Sequence, residues 1–166
     1  LHDTGLPENQ PYIILQLHDW GRRGIGGGKR SIDEILREVA AFCDLVVREY
    51  NLDIVYLPMQ TEPSRDTELG QKVYQYMARS DHMYFVKPGT NPTILKSIVG
   101  KACLVVHTRH HPLVFAIGEG TPTLTICCDN QYYKRKLLGL MALFDINTSL
   151  HTLSLDDVTA NSLYTT

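Results

Sequence analysis

The chain has 166 residues, 43% hydrophobic and 20% charged, with a formal net charge of -2 and a pI near 6.4. That composition describes one globular domain with a proper core, and it excludes disorder and fibrous repeats. It also excludes a long-range field that would draw nucleic acid or an anionic membrane, so any anion affinity must be local. No window approaches the ~18 apolar residues of a membrane span and no signal-peptide pattern is present, so a cytoplasmic location is expected.

The elements follow in regular order. Pro11 to His18 is a short apolar run and predicts a buried strand, feeding a glycine-rich loop over Gly21 to Lys29. Ser31 and Glu34 have the spacing of a capping box. Behind them Ile32, Ile35, Leu36, Val39, Phe42, Cys43, Val46 and Val47 recur every three or four residues, which predicts a helix over Ser31 to Tyr50. Asp53 to Met59 reads as the second strand, ended by Pro58, and Gln60 to Arg65 as loop. Leu69, Val73, Tyr76 and Met77 form one face of a second helix.

A third strand is expected over Met83 to Val86 and a third helix over Pro92 to Val99, with Gly100 at its end. The alternation continues through strand Ala102 to Val106, helix Pro112 to Glu119, strand Thr123 to Cys127 and helix Tyr132 to Phe144. Strands alternating with helices imply a doubly wound, Rossmann-like parallel sheet with helices on both faces. Near the end, Ser154 or Asp156 is placed to cap a last, short helix. The four cysteines, Cys43, Cys103, Cys127 and Cys128, sit in apolar runs at spacings that fit neither zinc nor a secreted disulfide framework, which predicts buried thiols in a reducing compartment. The opening at Leu1 without methionine suggests a processed product or a piece of a longer chain.

Two stretches are candidates for holding an anion. Gly26, Gly27 and Gly28 would let backbone N–H groups approach a phosphate closely, although the loop is neither a Walker A motif nor a dinucleotide fingerprint. The second is the turn Arg109-His110-His111, between a buried strand and a helix whose first turn holds Pro112. In a parallel sheet that turn lies at the carboxyl edge, where ligands bind and the next helix points its free N–H groups outward. A guanidinium offers a planar fork matching carboxylate or phosphate, and an imidazole donates a hydrogen bond or a proton near neutral pH. The spacing places His111 at or beside the N-cap and Arg109 just outside it. Asp129, Tyr133, Lys134 and Lys136 follow the next strand and would line the same rim. His2, His18, His82 and His151 read as ordinary core or surface residues. A zinc site of His107, His110 and His111 is disfavoured because no carboxylate or cysteine stands at ligand spacing, so no metal is expected.

The run Val106 to Pro122, followed by Cys128-Asp129 and a lysine, resembles the carboxyl half of polysaccharide pyruvyl transferases. Arg109 and His111 match that family's Arg-x-His, and Gly120 and Pro122 its Gly-x-Pro. His110 replaces the family's usual aliphatic residue, Cys128 its tyrosine, and the lysine is displaced to Lys134 or Lys136. The resemblance implies a carboxyl-terminal domain of the GT-B kind over residues 1–166, with the catalytic cleft completed by an amino-terminal domain. It implies phosphoenolpyruvate as donor, a sugar of a cell-surface or exopolysaccharide as acceptor, and no separate cofactor. Arg109 and His111 would then be catalytic, clamping the donor's anionic groups and moving a proton. Two other readings stand beside it. One is a nucleotide-sugar glycosyltransferase of the same architecture, for which Glu119, at the far end of its helix, is badly placed to hold ribose. The other is a non-catalytic anion-binding or assembly domain.

Overall fold

A computed structural model describes residues 5, 9–18, 30–60, 65–128 and 130–166. The predicted strands assemble as β1 (Tyr12–Gln16), β2 (Asp53–Tyr56), β3 (Met83–Phe85), β4 (Leu104–His107) and β5 (Thr123–Cys127). A sixth strand, β6 (Thr152–Ser154), joins them, and the sheet order is β3-β2-β1-β4-β5-β6 with every pairing parallel. This is the doubly wound Rossmann order, and its strand order reverses between β1 and β4.

The helices are α1 (Ile32–Tyr50), α2 (Arg65–Tyr76), α3 (Pro92–Gly100), α4 (His110–Glu119), α5 (Gln131–Leu143), α6 (Thr148–His151) and α7 (Ala160–Thr165). Strand side chains alternate between two faces. Ile13, Leu15, Ile54, Tyr56, Val106, Leu124 and Ile126 pack against α1, α2 and α7. Tyr12, Ile14, Val55 and Val105 meet α3 and α4, while Leu113, Cys127, Leu137 and Met141 join α4 to α5. Burial on both faces explains why the strands read as continuous apolar runs rather than alternating ones.

Local chemistry sets the boundaries. Ser31 and Glu34 form the capping box at the start of α1, and Asn51 ends it in the left-handed region at φ 54°. The chain after Phe144 departs from expectation. Ser154 precedes a short 3-10 turn over Leu155–Asp157 without a side-chain cap bond, and Thr159 is the residue that caps α7, in a box with Ser162. The strand β6 carries the half-buried run Thr152-Leu153-Ser154, whose pattern is too short and too polar to announce a strand. Cys103 also departs, being exposed at the amino edge of the sheet while Cys43, Cys127 and Cys128 are buried. Among the described residues no helix is long and apolar enough to cross a membrane.

Candidate functional site at the carboxyl edge

β4 and α4 meet where the strand order reverses. Arg109 is the N-cap of α4, with an extended backbone (φ -101°, ψ 158°), and the helix begins at His110, two residues earlier than Pro112 suggested. Pro112 is thus the third helical residue. It is tolerated there because the first four N–H groups of a helix lack an intrahelical acceptor. Ser31, Asn91 and Asn130 place side-chain oxygens on the first turns of α1, α3 and α5, whereas Arg109 makes no side-chain cap bond. The first turn of α4 therefore presents open N–H groups and the positive end of the helix dipole at the switch point.

Beneath this turn lies a buried polar network. Gln16, fully buried at the end of β1, accepts from the backbone N–H of Arg109 at 3.0 Å and of Thr108 at 3.4 Å through Oε1. Its Nε2 donates to the Leu17 carbonyl at 2.8 Å and to Asp66 Oδ2 at 3.4 Å. Asp66, also fully buried in the first turn of α2, accepts from the Arg109 guanidinium at 2.8 Å and from Met59 N–H at 3.3 Å. The Tyr56 hydroxyl donates to the Asp66 backbone carbonyl. The Arg109 side chain consequently spans from the end of β4, past β1, to the start of α2. Among the described residues Arg109 Nε and the hydroxyl of Thr108, itself 6% exposed, are buried without a partner.

His107 supports the turn from below. Its Nδ1 lies 2.9 Å from the Arg109 carbonyl and its Nε2 3.0 Å from Thr125 Oγ1. A carbonyl only accepts, so Nδ1 carries the proton and Nε2 accepts from Thr125. Burial pushes this imidazole down to about 4, which keeps it neutral. With both nitrogens engaged, His107 orients Arg109 and has no lone pair for a metal. Among the described residues no cluster of three or more His, Cys, Asp or Glu is disposed to hold a metal ion.

The structure gathers most of the predicted residues at this edge. His110 is half-buried, His111 is exposed, and their rings stand edge to face at 5.7 Å. Burial, then the neighbouring Lys136 and His111, lowers the pKa of His110, so it favours the neutral form. Tyr133 packs its ring 5.7 Å from that of His18 at the end of β1, and Lys134 is exposed beside it. Gly26, Gly27, Gly28 and Asp129 lie outside the described residues. Gly120 and Pro122 do not join the site. Gly120 is the left-handed C-cap of α4 at φ 71°, and Pro122 offers its carbonyl to Val105 N–H at 2.9 Å, so both sit at the amino edge, one helix length from Arg109. Glu119 lies at that far end too, paired with Lys96 at 3.1 Å.

The residues that sequence reasoning missed are Gln16, Asp66, Tyr56 and Thr108. Gln16 carried a signal, as the lone amide in the apolar run Tyr12 to Leu17. Asp66 carried none, since an acidic residue after a loop is ordinarily a solvated helix start.

No protein-family model and no curated protein matches the sequence. Solved structures do match in fold. E. coli heptosyltransferase WaaC with ADP aligns over 97% of this chain and 45% of its own, at a TM-score of 0.61 and 15% identity. The same enzyme with ADP-2-deoxy-2-fluoro heptose aligns over 97% and 44%, at 0.56 and 11%. S. aureus MnaA with UDP aligns over 96% and 42%, at 0.50 and 14%. The chain thus spans slightly less than half the length of the structures it resembles. What is shared is the α/β, Rossmann-like fold.

Proposed function

We propose that this domain binds the nucleoside diphosphate part of a nucleotide-sugar donor and serves a glycosyl-transferring enzyme of the GT-B kind. One observation carries the reading: an uncapped helix start at the β1/β4 switch point, flanked by Arg109 and by the unpartnered hydroxyl of Thr108. A diphosphate satisfies all three at once, because it offers several acceptor oxygens and charge of the sign the helix end favours. The fold neighbours crystallised with ADP, with an ADP-sugar analogue and with UDP lend further support.

The chemistry follows from charge. When a sugar leaves its nucleotide, negative charge grows on the departing diphosphate. Donors already fixed in place then stabilise the transition state without reorganising. His111, exposed on the first turn, adds a hydrogen bond or, when protonated, a cation.

Phosphoenolpyruvate is the competing donor, favoured by the Arg109-x-His111 pattern. Two observations weigh against it: Gly120 and Pro122 stand at the opposite edge, and Asp66 already balances the charge of Arg109. Phosphoenolpyruvate brings a carboxylate and a phosphate monoester, up to three negative charges against the two of a nucleotide-sugar diphosphate, and the neutralised pair offers nothing to offset the difference. Calorimetric titration of the chain with ADP, UDP and phosphoenolpyruvate separates the readings. Binding of a nucleotide, with phosphoenolpyruvate unable to displace it, is expected; binding of phosphoenolpyruvate alone would return the assignment to pyruvyl transfer.

A further inference from the structure

Arg109 is held at both ends by residues from two other elements, β1 and α2. Its backbone N–H is fixed by Gln16 and its guanidinium by Asp66, while Gln16 and Asp66 are themselves joined. Both side chains are fully buried, so neither touches a ligand above the sheet edge. Yet the Gln16 amide is not needed to complete the sheet. Thr108 N–H already donates to the Gln16 backbone carbonyl at 3.1 Å, completing the β1/β4 ladder without the amide. Two polar side chains buried at the reversal of the strand order, and both bonded to Arg109, act on that turn's geometry.

We propose that Gln16 and Asp66 are positioning residues of the donor site, locking Arg109 so that its half-buried guanidinium and the first turn of α4 face the ligand in one orientation. The inference rests on the donor reading above, and its physical content is preorganisation. An arginine held in one rotamer loses little side-chain entropy when the anion arrives, whereas a free one gives up part of the binding free energy to be ordered. The network also ties the α2 entry to the β4 turn, so the ends of β1, β2 and β4 move as one unit.

Gln16→Met and Gln16→Glu test this. Methionine keeps the volume and removes every hydrogen bond of the amide. Glutamate keeps the acceptor for Arg109 N–H but sets a carboxyl against Asp66, where one of the two must hold a proton to restore the donated bond. The other titratable groups facing this position are Arg109, Tyr56 and His107. With UDP-N-acetylglucosamine as probe, whose diphosphate diester does not titrate between pH 5 and pH 8 as a terminal phosphate does, affinity is measured relative to wild type at both values. Gln16→Met is expected to bind at least tenfold more weakly at both. Gln16→Glu is expected to match wild type within about twofold at pH 5 and to fall tenfold behind at pH 8. Folded variants with wild-type affinity, or a Gln16→Glu protein whose deficit ignores pH, would overturn the proposal.

Hydrogen exchange at the Arg109 backbone N–H, which donates to Gln16, gives a second readout that needs no ligand. Slow exchange in the wild type, and its loss in Gln16→Met at equal thermal stability of α1, supports the positioning role even if no nucleotide binds, in which case the donor reading alone fails. Equal exchange in both proteins overturns it.

Discussion

At the scale of single residues, His107 does the most with the fewest atoms. Its neutral ring bridges Thr125 on β5 to the Arg109 carbonyl, so one buried imidazole joins two strands to the start of α4. Its folded pKa of about 4 lies below the ordinary 6.5, so between those values the unfolded chain binds a proton that the folded chain refuses. Unfolding free energy therefore rises with pH across that window. His107 leaves stability intact above pH 6.5 and erodes it on acidification, by about 3 kcal/mol once pH falls below 4. Urea denaturation at pH 7 and at pH 4.5 should show the loss, and His107→Gln should flatten the profile by close to one proton. An identical profile in the variant would mean that His107 is protonated in the fold and that the tautomer argument fails.

At the scale of elements, α4 is a helix whose start has no side-chain cap. A negative side chain in a first turn is worth about 0.3–1 kcal/mol to the helix, yet this turn carries Arg109, His110 and His111 and no acid. His111→Glu should raise thermal stability slightly and weaken nucleotide binding at least tenfold, because the new carboxylate competes for the same N–H groups. Stability and binding would move in opposite directions, and a variant that bound as tightly as the parent would remove α4 from the site. The helix α1 shows how much of such an element was legible in sequence. Its capping box and its apolar period act within a few residues of chain, so Ser31, Glu34 and the buried face from Ile35 to Val47 could be read directly. The turn at Arg109 was legible as an edge position for the same local reason. Its partners were not, since Gln16 and Asp66 lie 93 and 43 residues away and meet it only through the sheet order. The strand β6 escaped for a related cause: three half-buried residues become a strand only because β5 offers an edge.

At the scale of the molecule, the last segment closes the face that α1 and α2 leave partly open. Ala160 N–H donates to Glu38 at 2.8 Å, Arg30 bonds the Val158 carbonyl, and Arg30 and Glu38 pair at 3.6 Å. The clamp fastens residues 158–160 to the entry of α1, directly after the glycine-rich stretch. Val158 is fully buried and Leu163 is 3% exposed, both against the main core cluster, and Tyr164 stacks at 5.9 Å on Tyr50. Two such aliphatic side chains contribute about 1.5–3 kcal/mol each, so ending the chain after Asp157 should cost about 3–6 kcal/mol of unfolding free energy. That is comparable to the whole margin of a small domain. The truncated chain is therefore expected to show a much lower urea midpoint and faster hydrogen exchange along α1, while the Arg109 network, rooted in β1, β2 and β4, is the last part of the fold to lose protection. An unchanged midpoint would make α7 an ornament of the fold. Loss of protection at Arg109 before α1 would place the weakest point of the domain at the donor edge instead.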